Sequence, residues 1–108
     1  MCNLKTWYTD HNGCVAQCTE CGYFRLSFGT TLLTLDSGNF ERFSAMVSRR
    51  IASFSPLDEH AKYIVFPTPC GCTQLILTEG ELYRLHGLLQ CADIEIKVGN
   101  LLDLFHEE

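Results

Sequence analysis

Positive charge is scarce in this chain: 8 Lys and Arg stand against 13 Asp and Glu, a net charge of −5 over 108 residues. Proteins that follow a phosphate backbone carry clustered basic residues, so nucleic acid is not an expected partner. No apolar run approaches the ~18 residues of a membrane span, and the opening MCNLKTWYTD lacks the apolar core of a secretion signal. Position 2 is Cys2 rather than the glycine that myristoylation uses. These absences give the expectation of a cytoplasmic chain with no membrane association. The phosphate-cradling GxxxxGK[ST], the zinc-protease HExxH and the nucleophile elbow GxSxG are missing too, and no Cys and His share a spacing typical of a nucleophile and its base. The expectation is therefore no enzymatic activity and no catalytic residue.

What is present suits a folded domain. With 46% hydrophobic and 19% charged residues the composition is that of an ordinary globular protein, and 108 residues are enough for one core, so residues 1–108 are read as a single domain. Seven cysteines (Cys2, Cys14, Cys18, Cys21, Cys70, Cys72 and Cys91) are an odd number. Without a secretion signal they read as thiols or metal ligands rather than a disulfide framework.

Cys18-Thr19-Glu20-Cys21-Gly22 carries the most chemistry. Two thiolates separated by two residues reach one ion when the backbone between them turns tightly, and a glycine after the second eases that turn. This is half of a structural zinc site, which needs four ligands. The second pair is Cys70 and Cys72, or else His11 with Cys14; neither spacing is diagnostic, and reduced, unliganded cysteines are the plain alternative. The candidate metal ligands are thus Cys18, Cys21, Cys70 and Cys72, with zinc the candidate ion. A thioredoxin-like role needs a helix after the CxxC. Residues 23–28 instead alternate, with Phe24, Leu26 and Phe28 on one side and Tyr23, Arg25 and Ser27 on the other, which is strand periodicity. A thiol redox protein remains only as an alternative.

The rest follows from local pattern. Asn12-Gly13 marks a turn between two short extended pieces, and Gly29-Thr30 separates strand 23–28 from a β-favouring run at 31–35. Asp36 or Ser37 starts a helix whose core face is Phe40, Phe43, Val47 and Ile51 with Met46 beside them, and Arg49 and Arg50 suit its negative end. Residues 52–61 form an irregular connection in which Asp58, Glu59 and His60 are adjacent but do not converge. Lys62–Phe66 reads as a strand stopped by Pro67. Thr78 and Glu81 have capping-box spacing at the start of a second helix with core face Leu82, Leu85, Leu89 and Ala92. His86 borders that stripe, and Cys91 is read as a small buried hydrophobe. The second helix is expected to run from Glu79 to Phe105, broken at Gly99 if anywhere, with a strand over 94–98 as the alternative.

Shifted by 42 residues, FGTTLLTLDSGNFERFSAMV falls on CGCTQLILTEGELYRLHGLL, with Gly29 on Gly71, Leu33 on Leu75, Leu35 on Leu77 and Arg42 on Arg84. The inferred fold is α+β: two ββα-like units, a pseudo-repeat with antiparallel strands and two main helices. Chance likeness of two amphipathic strand-to-helix passages is the alternative.

QCTEC, FRLSFGTTLLTL, NFERF, FPTPC and the final LLDLF together resemble an uncharacterised family of small bacterial proteins, a domain of unknown function, from about Asn12 onward. The residues matching the family pattern are Cys18, Cys21, Phe28 and Gly29, together with the apolar helix positions. The resemblance implies a whole-chain fold and a role for the Cys18/Cys21 pair, and it brings no activity. Two functions follow: a non-enzymatic interaction or structural domain held by zinc, or a metal-free domain that forms a homodimer or binds a protein partner through an exposed apolar face.

Overall fold

From Leu4 to Leu35 the chain doubles back on itself at polar turns and at glycines. The computed structural model describes residues 3–52, 64–68 and 74–106. Strand β1 (Leu4–Thr9) turns at Asp10–Gly13 into β2 (Gly13–Cys18). The Asp10 carboxylate fixes that turn by accepting the amides of Asn12 at 2.7 Å and Gly13 at 3.2 Å. A Cβ on Gly13 would collide with the Ser27 carbonyl, so β2 and β3 approach as closely as they do only with glycine there. Strands β3 (Phe24–Phe28) and β4 (Thr31–Leu35) join through Gly29-Thr30. Of these two residues Gly29 has positive φ, 58°, the two-residue hairpin turn that takes glycine at its first central position.

The four strands form one antiparallel sheet in the order β1-β2-β3-β4. Its register places Val15, Leu26 and Leu33 in one row, and Gln17, Phe24 and Leu35 in the next. The apolar members of those rows are buried, while Arg25 and Thr34 on the other face are exposed, as period-two alternation requires.

Helix α1 (Ser37–Ala52) begins at Asp36, whose carboxylate accepts the Asn39 amide at 2.7 Å. It buries Phe40, Phe43 and Val47, with Met46 and Ile51 packed alongside, and Phe40 stacks on Phe24 of the sheet with ring centroids 4.1 Å apart. A second hairpin, β5 (Ile64–Pro67) and β6 (Gln74–Leu77), forms a separate two-stranded sheet. Helix α2 (Glu79–His106) follows, capped reciprocally: the Glu81 amide donates to Thr78 Oγ1 at 3.1 Å, and the Thr78 amide to the Glu81 carboxylate at 3.0 Å. Leu75, Leu77, Leu82, Leu85, Leu88, Leu89 and Ala92 join the sheet and α1 in one core.

The fold is α+β, as the sequence indicates, and α2 runs unbroken through Gly99 and through 94–98. Both hairpin-plus-helix passages are present, but their pairing differs. A strict repeat at 42 residues would carry the Phe24–Leu35 pair onto Phe66–Leu77; instead Phe66 pairs with Leu75 and Ile64 with Leu77. Lys62, Asp58, Glu59 and His60 lie outside the described residues, and so do Cys70 and Cys72.

Candidate metal centre

Strand β2 ends at Cys18, and the chain re-enters the sheet at Phe24 of β3 after a short turn. The Cys18 amide donates to the Tyr23 carbonyl at 2.8 Å and the Gly22 amide to the Cys18 carbonyl at 3.0 Å, closing the turn from both ends. Gly22 takes φ of 81°, a left-handed conformation that costs any side chain with a Cβ energy. Within this turn the Cys21 amide donates to Cys18 Sγ at 3.3 Å. An N–H aimed at a sulfur favours the charged thiolate, the form that binds metal. The two cysteines differ in access: Cys18 is 3% exposed, whereas Cys21 is on the surface.

The knuckle is anchored on two sides. Thr19 donates its amide to the Asn3 carbonyl at 2.8 Å and its hydroxyl to the same oxygen at 3.2 Å, pinning the loop to the start of β1. On the other side Gln17 Nε2 donates to the Gly22 carbonyl at 3.1 Å, while Gln17 Oε1 accepts Trp7 Nε1–H at 2.9 Å.

The sequence-predicted ligands divide accordingly. Cys18 and Cys21 come together in one turn. Cys70 and Cys72 fall between β5 and β6, outside the described residues. The pair His11 and Cys14 is not brought to the knuckle. Cys14 lies four residues back along β2, about 13 Å at ~3.3 Å per residue, whereas Zn–S bonds of ~2.3 Å hold two sulfurs within about 4.6 Å of each other. His11 lies farther still, exposed in the turn that precedes β2. Among the described residues no three His, Cys, Asp or Glu side chains gather as a metal site. His86 is half-buried on a shallow groove between α1 and α2 with Ser44, Ser48, Gln90 and Asp93.

Cys91 is not the buried hydrophobe expected of it. It is half-buried in mid-helix and meets Tyr8 of β1. The Cys91 thiol, first through its hydrogen bond and then its charge, raises the Tyr8 phenol to about 12, and burial and Asp10 add to the shift. Asp10 itself is pushed up by burial, but the amides of Asn12 and Gly13 outweigh this and hold it below the usual carboxylate range. Trp7, Gln17 and the Tyr8–Cys91 contact escaped sequence reasoning because each joins residues far apart in the chain. Only the position of Gln17 immediately before Cys18 was a signal.

The model of a family described as a family of unknown function (DUF6686) matches residues 1–105. The chain belongs to this family. No curated protein and no solved structure matches it. In this DUF6686 chain the matched region contains both cysteine pairs, Cys18/Cys21 and Cys70/Cys72. Among the described residues no helix is long and apolar enough to cross a membrane.

Proposed function

We propose that this chain is a non-enzymatic structural or interaction domain in which Cys18, Cys21, Cys70 and Cys72 hold one structural zinc ion. The observation that carries the reading is the Cys21 amide donating to Cys18 Sγ inside a turn closed by left-handed Gly22. Four thiolates form a soft, tetrahedral set suited to zinc. The ion would tie the β2–β3 junction to the connection between β5 and β6, a hairpin that shares no ladder with the main sheet. Two-stranded hairpins are marginal in isolation, so such a tie would stabilise the part of the fold that needs it most. The same chemistry suits a reducing, cytoplasmic setting, where thiols stay available to metal.

Elemental analysis of untagged protein purified without chelator tests this directly. About one zinc per chain, lost together with thermal stability in Cys21→Ser, is the expected result. Metal-free protein with unchanged stability in Cys21→Ser would refute it.

A second reading, a metal-free domain that pairs with a partner or a second copy, is favoured by one observation. Ile94, Val98, Leu101 and Leu102 are 46–60% exposed on the C-terminal half of α2.

A further inference from the structure

The knuckle does not stand alone: two side chains in series, Gln17 and Trp7, link its last residue to helix α2. Lys5 is the strand partner of Gln17, and the register of β1 slips between Thr6 and Tyr8. A bulge of this kind re-aims the side chain within it, and here that residue is Trp7, whose indole reaches Gln17. The orientation of the Gln17 amide is set by chemistry: the indole N–H only donates and the Gly22 carbonyl only accepts. Oε1 must therefore face Trp7 and Nε2 must face Gly22. The indole is fixed in turn by Lys5 Nζ, 4.3 Å from its ring centroid, and by α2, where a Cβ on Gly99 would lie 2.7 Å from Trp7 Cζ3.

We propose that Gln17 is a positioning residue for the metal knuckle, holding the Gly22 carbonyl so that the Cys21 amide stays aimed at Cys18 Sγ, with Trp7 as its brace against α2. This rests on the knuckle binding metal. Side chains that orient a metal ligand through one intermediate contact lower affinity by about 10–100-fold when removed. Gln17 acts one contact further out, through the Gly22 backbone, so its removal is expected to cost the lower end of that range, about tenfold. Since Trp7 is the one tryptophan in the chain, its emission reports on the linkage without a label.

The test titrates zinc into the reduced, metal-free full chain against a competing chromophoric chelator, for wild type, Gln17→Glu, Gln17→Ala and Trp7→Phe. Gln17→Glu keeps an acceptor for the indole and loses the donor to Gly22. Trp7→Phe keeps that donor and loses its brace. The expected order of affinity is wild type, then Trp7→Phe, then Gln17→Glu and Gln17→Ala weakened about tenfold, with thermal unfolding of the metal-free proteins nearly unchanged. A shift of Trp7 emission on zinc addition is expected in wild type and is diminished in Gln17→Ala. Wild-type zinc binding retained at full affinity in both Gln17 variants overturns the role of Gln17 and leaves the metal site standing. No zinc binding by wild type overturns both. Equal losses of affinity and of metal-free stability reduce Gln17 to a general fold contact and overturn the positioning role.

Discussion

Two glycines on α2 are expected to respond to the same substitution with opposite signs. Gly87 and Gly99 are both interior to the helix, and each costs about 1 kcal/mol relative to alanine in helix propensity. Around Gly87 an added Cβ would meet nothing within 4 Å, so Gly87→Ala should stabilise the chain by about that full amount. At Gly99 the same Cβ would lie 2.7 Å from Cζ3 and 2.9 Å from Cη2 of Trp7. The ring has little room to retreat, being hydrogen-bonded to Gln17 and capped by Lys5. Overpacking of this kind costs roughly 1–3 kcal/mol, so after the propensity gain Gly99→Ala should lose about 1 kcal/mol. Urea unfolding followed by Trp7 fluorescence measures both. For small proteins m is about 1–3 kcal/mol per molar, so the two midpoints should move apart by about 1 M. In a Trp7→Phe background, followed by circular dichroism because the one tryptophan is gone, most of the Gly99→Ala penalty should disappear. If Gly99→Ala stabilises as much as Gly87→Ala does, α2 does not lie against β1 at Trp7, and the bracing of the knuckle by that helix fails with it.

Other perturbations test separate joints of the structure. Thr78→Ala removes the hydroxyl that caps α2 and should cost about 1 kcal/mol in chemical denaturation, with Thr78→Ser largely sparing it. Gly22→Ala forces a Cβ into left-handed backbone and should cost about 1–2 kcal/mol in the metal-free chain, measured by its urea midpoint. Spectroscopic titration of tyrosinate should find one phenol near pH 12, returned toward its ordinary value in Cys91→Ala. Between pH 10 and about 12 the folded chain holds a Tyr8 proton that the unfolded chain has released. That contribution to stability is whole below pH 10 and is lost as pH rises through the window. A stability curve flat across it would contradict the Tyr8–Cys91 contact.

Local chemistry made most of this fold legible. The turns at Asn12-Gly13 and Gly29-Thr30, the caps at Asp36 and Thr78, and the core faces of both helices depend on residues within a few positions of each other, where turn geometry and periodicity act. What escaped was docking. Nothing near Trp7 in sequence says that a bulge turns it toward Gln17, and nothing near Cys91 says that Tyr8 waits across from it. The metal ligands show the same divide: the Cys18–Cys21 turn is local and was readable, whereas excluding Cys14 took the length of strand β2. The ambiguity at 94–98 also has a physical source. Alternating Ile94, Ile96 and Val98 mimic a strand, but in the helix Ile96 packs against the core while Ile94 and Val98 face away, so α2 is apolar on both sides there.

That two-sided stretch yields a last prediction, which decides whether the outer stripe is bare. Up to Ala92 the aliphatic residues of α2 point inward, and Leu82, Leu85, Leu88, Leu89 and Ala92 are at most 2% exposed. Beyond it Leu101, at 55%, and Leu102, at 53%, point away from the fold. A side chain so exposed loses little on becoming polar, so Leu101→Glu should change the stability of dilute protein by less than about 0.5 kcal/mol. A loss above ~2 kcal/mol would be the signature of a buried leucine, and the stripe would then be an inner face of the fold. If the stripe joins two copies of the chain, the wild-type melting temperature rises with protein concentration, because pairing stabilises only the folded state, and Leu101→Glu removes that rise while leaving the dilute value in place. A melting temperature independent of concentration in wild type and variant alike would leave the zinc-held domain as the reading with support, and self-association through this helix would be refuted.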